Sequence, residues 1–490
     1  MVNHLKTSIG QYSDKGRKEI NQDFFGALLP VQPALELKGI SVVLTDGISS
    51  SNVSQIAAES TVKSFLTDYY CTSDTWTVKT SASRVIQATN SWLHSATKRS
   101  IDAYDMNRGY VCTLSAMVFK ARTAHLFHVG DSRIYRLEGG SLEQLTNDHR
   151  NVVSSVESYL SRAIGMADTV NIDYRTAALN VGDIFIMATD GVYEHTNAKH
   201  ISQMIAAHQD DLDMAAQMIV RNAYENGSAD NLTIQIIRID SLPDTEANDV
   251  IAQSKTLPAP PLLDAQQEFE GYKVLRPLHS NHRSHIYLVQ DIESGEKYAL
   301  KIPSIDLREQ PGYLRQFMME DWVMRRIKNA HVLKAAPQTR KRKFAYIVME
   351  YIQGQTLAQW MIDNPKCDLK TMREIIDQVS RGLRAFHRKE MLHQDLRPQN
   401  IMLDEDGTVK LIDFGSTRVA GVLEASPDLQ SNDILGTLQY TAPEYFTGET
   451  GSKRSDYFSL AVIAYQMLTS KLPYGTQVSK IRNKAQLKKL

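Results

Sequence analysis

DIFIMATDG, residues 183–191, decides how the first half of this chain is read. An apolar run too short for a helix closes on Asp190 and Gly191, the pattern of a buried strand that delivers a carboxylate at its end. Working outward, the pattern recurs in ISVVLTDG at 40–47, which ends on Asp46 and Gly47, and in AHLFHVGDSRIYRL at 124–137, which carries Asp131. It is mirrored at 228–239, where Asp230 precedes the run NLTIQIIRI. Taken singly, each Asp-Gly reads as a turn, because that dipeptide favours hairpins. Taken together, four carboxylates at strand ends can converge on one cleft, and hard oxygen ligands gathered there suit Mg²⁺ or Mn²⁺.

Residues 1–240 read as short strands with intervening helices, the helices expected over 53–69 and 198–224. The stretch 241–267, SLPDTEANDVIAQSKTLPAPPLLDAQQ, has four prolines, many small or polar residues and little periodicity, and reads as a linker. Residues 268–302 then alternate like a small antiparallel sheet, with helices expected over 314–329, 369–388 and 455–469. Strands first and helices later predict a second domain with two lobes.

The ordered set GRKEINQDFFG, VVLTDG, VGDSRIYRL, LTNDH, SRAIG, ATDG and SADNLT resembles the PPM family of metal-dependent protein phosphatases over about residues 8–238. The resemblance implies that Asp46, the backbone carbonyl of Gly47, Asp190 and Asp230 hold two Mn²⁺ or Mg²⁺ ions, with Asp23 ordering water around them. Asp131 would help hold a third, weaker ion. A basic residue that grips the substrate phosphate falls at Arg17 or Lys18: spacing favours Lys18, and the guanidinium fork favours Arg17. The implied chemistry is direct hydrolysis of phosphoserine or phosphothreonine without a covalent enzyme intermediate. Gln22 stands where an acid is usual, and Ile48, Ser49 and Ser50 replace the glycines and histidine that commonly follow the first Asp-Gly. His128 and His149 are expected to be structural.

In the second half YALK (298–301), HQDLRPQN (393–400), IDFG (412–415) and YTAPE (440–444) resemble the eukaryotic-like protein kinases over 270 to about 476. That resemblance implies Mg-ATP as cofactor. Lys301 would hold its α- and β-phosphates and be oriented by Glu320, while Asn400 and Asp413 would bind Mg²⁺. Asp395 would accept the proton of the attacking hydroxyl, with Arg397 beside the transferring phosphate. Leu278, Ile286, Glu350 and Ile352 would complete the nucleotide site, and Asp456 would brace the catalytic loop. Two departures stand out. LHSNHRSHI puts His279, Asn281 and Ser284 at the three positions of the phosphate-binding loop that are usually glycine, which predicts weakened or rearranged nucleotide binding. The chain also stops soon after KLPYG, so the second lobe is expected to be incomplete and Glu444 to be a buried carboxylate without its arginine.

The fold class expected is therefore α+β in two domains: a PPM β-sandwich flanked by helices over 1–240, a linker over 241–267 and a bilobal kinase fold over 268–490, truncated at its C-terminus. Composition agrees with globular domains, at 42% hydrophobic and 23% charged. A net charge of -1 with no long basic block argues against nucleic acid as a partner. Three scattered cysteines without a CxxC pair suggest neither a disulfide framework nor a zinc site. With no signal peptide, and the longest apolar run (458–468) too short to span a bilayer, the expectation is a cytoplasmic protein without a membrane segment. The basic run 480–490 is expected to be a solvated helix face. Expected partners are ATP and Ser/Thr protein substrates in phosphorylated and unphosphorylated form, including the chain's own segment with Ser416, Thr417, Ser426, Ser431, Thr437 and Thr441. The rival reading is an active phosphatase joined to a kinase-like module that senses nucleotide or binds protein without transferring phosphate.

Overall fold

The computed structural model describes residues 4–101, 103, 105–138, 140–152, 158–243, 257–281, 283–304, 311–425, 439–446 and 449–474. Ser426, Ser431, Thr437, the middle of the 241–267 stretch and the basic run 480–490 lie outside the described residues. The chain divides into two units, the first covering essentially Met1–Val250 and the second beginning at Ile251.

In the first unit two five-stranded antiparallel sheets form. One orders Lys6–Asp14, Leu232–Ser241, Ile184–Ala188, Arg133–Glu138 and Ser141–Gln144; the other orders Asp173–Ala178, Thr123–Val129, Leu114–Lys120, Ile40–Thr45 and Phe24–Leu28. All six residues of ISVVLT are buried, because both faces of its strand are covered. Val42 and Leu44 enter the core shared with Phe185, Met187, Ile237 and Ile239 of the other sheet. Val43 points the opposite way, onto Phe65 and Tyr69 of the helix Ser54–Cys71 and onto Ile86 and Leu93 of the helix Val78–Arg99. On the far face of the first sheet, Ile234 and Ile236 pack with Ala215, Ile219 and Ala223. The result is four layers, helix, sheet, sheet, helix.

The single helix expected over 198–224 is two helices, Ala198–Ala207 and Leu212–Glu225. The break has a local cause: the Asp211 side chain accepts from the Met214 amide and starts a new helix. The helix Val78–Arg99 lay outside every sequence expectation. Its first half is rich in Val, Thr and Ser, weak helix formers, and it depends on the Thr77 cap and on burial of one face.

The second unit opens with a five-stranded antiparallel sheet, Glu268–Phe269, Tyr272–Ser280, Ser284–Asp291, Lys297–Pro303 and Ile347–Glu350, followed in sequence by the helix Pro311–Arg326. A second lobe is built on the helices Leu369–Arg388 and Lys453–Thr469 with the short strands Gly354–Thr356, Ile401–Asp404 and Val409–Leu411. The described end of the 241–267 stretch is part of this unit: Leu263 is buried with Phe269, Tyr272 and Tyr346, and the Pro258 carbonyl accepts from the Ala345 amide at 2.9 Å.

Candidate functional site

Each sheet of the first unit ends in a carboxylate. Asp46 follows the strand Ile40–Thr45, and its amide donates to Thr113 Oγ1 at 2.9 Å while its carbonyl accepts from the Thr113 amide at 2.7 Å. Thr113 Oγ1 in turn lies 2.7 Å from Ser132 Oγ, next to Asp131. Asp190 follows Ile184–Ala188 from the other sheet. The Asp-Gly pairs are not hairpin turns. A Cβ on Gly191 would sit 2.1 Å from the Asn231 carbonyl oxygen, so the glycine lets the backbone carrying Asp190 approach the segment carrying Asp230. Asn231 ties in a third piece: its Nδ2 donates to the carbonyls of Lys15 and Ile20 and its Oδ1 accepts from the Gln22 amide, holding the 15–22 loop against the cluster.

Asp23, buried, accepts at one oxygen from Thr189 Oγ1 (3.0 Å) and Thr233 Oγ1 (2.7 Å), and its other oxygen is buried with no donor. Burial pushes its carboxyl up to about 7. Burial, with the charges of Asp23, Asp190, Asp131 and Asp230, raises Asp46 well above the carboxylate range. Asp190 is pushed up to about 6, by burial first and then by Asp131 and Asp230. Five carboxylates thus share one pocket at mutual electrostatic cost.

Two basic side chains offset part of that cost. Arg150 donates from Nε to Asp131 Oδ2, from Nη2 to Asp190 Oδ2 at 2.6 Å and from Nη1 to Glu194 Oε1 at 2.9 Å. Lys18 Nζ lies 3.2 Å from Asp230 Oδ1 and donates to Ser49 Oγ. Arg17 faces elsewhere, with its guanidinium 5.0 Å from the Tyr224 ring centroid. Of the two basic candidates, Lys18 is therefore the one at the cluster. Among the described residues no group of three or more His, Cys, Asp or Glu side chains stands ready to hold a metal ion. The donor set nevertheless fits a hard cation: carboxylates converging on one pocket, and a buried Asp23 oxygen without a donor.

Gln22 donates to the Ser51 carbonyl and to Ser54 Oγ, so its amide fixes the start of the helix Ser54–Cys71. His128 bonds Ser115 Oγ and the Asn147 carbonyl, and His149 accepts from the Gly130 amide and contacts Asp173, so both histidines brace loops. Sequence reasoning passed over Thr113, Thr189, Thr233 and Arg150. The hydroxyls carry no motif, and the only mark of Arg150 is its place immediately after NDH.

In the second unit Lys301 Nζ donates to both oxygens of Glu320, at 2.9 and 2.7 Å, and lies 3.6 Å from Asp413 Oδ1. Burial disfavours the ammonium, but Asp413 and Glu320 outweigh it and hold Lys301 protonated. The Lys301 charge holds the Asp413 carboxyl below its ordinary range. Asp413 sits at φ 65°, a strained conformation for a residue with a Cβ. Phe414 next to it is fully buried, its ring 5.3 Å from that of Phe386. Asn400 Nδ2 donates to Asp395 at its carbonyl (2.8 Å) and its Oδ2 (3.0 Å), and Arg397 Nε lies 3.9 Å from the same Oδ2. Asp456, buried, accepts from the amides of His393 and Gln394 and from His387 Nε2, which positions the loop bearing Asp395. Glu350 is paired with Lys410 at 2.7 Å and accepts from the Lys334 amide.

The loop between the strands Tyr272–Ser280 and Ser284–Asp291 closes without glycine. Asn281 Oδ1 accepts from the amides of Arg283 and Ser284, both at 2.8 Å, and neither His279, Asn281 nor Ser284 takes a positive φ. Tyr313 of the following helix donates its hydroxyl to the Arg283 carbonyl. Leu278 and Ile286 flank this loop and are half-buried, and Ile352 is buried. Glu444 departs from expectation: it is half-exposed and accepts from Ser455 Oγ at the start of the helix Lys453–Thr469, so it is neither buried nor without a partner.

Residues 11–232 match the protein phosphatase 2C family and residues 272–490 match the protein kinase domain. The chain is 27% identical over 203 residues to the serine/threonine-protein kinase PrkC of Bacillus subtilis, which covers 41% of this chain and 31% of that protein. It is 30% identical over 206 residues to the serine/threonine-protein kinase pkn2 of Myxococcus xanthus, covering 41% of this chain and 25% of that one. The solved serine/threonine phosphatase of S. agalactiae aligns at 22% identity and a TM-score of 0.42, over 48% of this chain and 100% of its own. The chain spans 25–31% of the length of these two curated kinases.

Proposed function

We infer that this chain, which carries a protein phosphatase 2C domain and a protein kinase domain in tandem, both removes phosphate from and adds phosphate to serine and threonine of protein substrates. The observation that carries the inference is convergence: in each unit, acids far apart in sequence meet in one pocket beside an oriented lysine or arginine.

In the first unit Asp46, Gly47, Asp190 and Asp230 would hold divalent ions, Mn²⁺ or Mg²⁺. Such ions supply Lewis-acid activation for phosphoester hydrolysis. Asp23, fixed by Thr189 and Thr233, would order water beside the ions through its unpartnered oxygen. Lys18 would turn from Asp230 to the substrate phosphate. In the second unit Lys301, held by Glu320, would grip the nucleotide phosphates, with Leu278, Ile286, Glu350 and Ile352 around the nucleotide. Asp413 and Asn400 would hold the Mg²⁺ of Mg-ATP, and Asp395 would accept the hydroxyl proton, with Arg397 beside the phosphate in flight. We place the protein in the cytoplasm, where Cys71, Cys112 and Cys367 would stay reduced. Among the described residues no helix is long and apolar enough to cross a membrane.

A second reading has one observation in its favour. The phosphate loop carries side chains at every glycine position and is tied by Tyr313, which fits a module that binds nucleotide or protein without transfer.

A paired assay separates the two. Phosphate release from a phosphothreonine peptide with Mn²⁺, and incorporation from [γ-³²P]ATP with Mg²⁺, are followed for wild type, Asp190→Asn and Asp413→Asn. Asp190→Asn is expected to lose hydrolysis by about a hundredfold or more and to accumulate label, and Asp413→Asn to lose labelling alone. Undiminished hydrolysis in Asp190→Asn would remove the metal pocket, and ATP binding without labelling in wild type would select the second reading.

A further inference from the structure

Arg150 is attached to rigid structure. The residue before it, His149, is buried, donates its amide to the Gly130 carbonyl at 2.8 Å and accepts from the Gly130 amide at 3.0 Å. Asp148 is gripped by Arg133, whose Nη2 lies 2.7 Å from Asp148 Oδ2. Arg150 itself begins the strand Arg150–Val152 and pairs with Leu160, so its side chain reaches the pocket from a point held by the preceding residue and by the partner strand. All three guanidinium nitrogens are used, each on a different carboxylate: Nε on Asp131, Nη2 on Asp190, Nη1 on Glu194. A planar cation thus lies across carboxylate oxygens of the hard kind that a divalent ion would also seek.

We propose that Arg150 is a tethered counter-cation that takes the place of a divalent ion between Asp131 and Asp190, so that this chain holds one ion fewer than its carboxylates could bind. The proposal rests on the reading of the pocket as a metal centre. Asp131 then serves as an ion-pair partner, and an ion reaches it only when the guanidinium swings away. Asp46 and Asp230 make no bond to Arg150, so the ions they hold are left in place. Because Asp190 belongs to both sets, the arginine also weakens the ion nearest it.

The test is calorimetric titration of Mn²⁺ into the full chain without nucleotide, with thermal unfolding measured in chelator and in excess Mn²⁺. Arg150→Met keeps an unbranched apolar stem and removes the charge and the donors. It is expected to bind one more Mn²⁺ per chain than wild type, or its weakest ion about tenfold tighter or more, the scale of one charge-assisted bond. It should also melt earlier than wild type in chelator and regain stability in Mn²⁺. Arg150→Lys, which keeps the charge but reaches a single carboxylate, should fall between the two and serves if the methionine variant does not fold. Equal stoichiometry and affinity in wild type and variant would overturn the proposal while leaving the metal centre intact. Absence of Mn²⁺ binding by wild type, or binding unchanged by Asp190→Asn, would instead sink the metal centre itself, and the proposal with it.

Discussion

Asp23 shows how much chemistry one buried carboxyl can hold. Its folded pKa, about 7, lies above that of an exposed aspartate, so the folded state keeps a proton the unfolded chain has already released. Stability from this group is present at low pH and is lost as pH rises from about 4 through about 7. Buried His125 and His128, depressed to about 4, tilt the curve the other way, so the prediction concerns a difference. Between pH 5 and 8 in chelator, wild type should lose more melting temperature than Asp23→Asn, and added Mn²⁺ should shrink the gap; parallel curves would contradict the assigned burial. At this scale Asp46, Asp131, Asp190 and Asp230 were legible because each flanks an apolar run, whereas Asp23 was legible only through its motif. Arg150 was not, since a lone basic residue after a turn has no period to betray it. The choice between Arg17 and Lys18 needed the Tyr224 ring, which lies 207 positions from the arginine that bonds its carbonyl.

Among the elements, the helix Leu212–Glu225 lies against the strand Lys6–Asp14 at a glycine. A Cβ on Gly10 would sit 2.1 Å from the Leu212 carbonyl carbon, backbone that a rotamer change cannot move. Gly10→Ala should cost about 1–3 kcal/mol in denaturant unfolding, with the helix pushed off its sheet, and a neutral result would mean the helix can slide. Strands were readable from their apolar runs, and the long helix Leu369–Arg388 from its periodicity. Two things were not: the helix break at Asp211, where the apolar spacing continues through the cap, and Val78–Arg99, where weak helix formers are carried by tertiary burial.

Across the whole molecule, each unit has a core of its own, with Phe185 and Ile237 central to one and Val274 and Leu300 to the other. Ligands that bind only one native unit should therefore move only its unfolding transition. Differential scanning calorimetry is expected to resolve two transitions: Mn²⁺ alone at about a hundredfold excess over its Kd should raise one by roughly 5–10 °C, and subsequent Mg-ATP the other. A single transition raised by both would contradict independent cores. The order of two α+β domains was plain in the sequence because the motifs of each run uninterrupted, with the proline-rich stretch between them. What composition hid is the role of the far end of that stretch, since a leucine just after a proline run looks like spacer until its neighbours are known. Leu263 plugs an aromatic nest of Phe269, Tyr272 and Tyr346, and Pro258 lends its carbonyl to the same lobe. The last third of the tether is thus a stopper on the kinase lobe, and a gene fragment opened at residue 268 would make that lobe with an uncorked, sticky hole.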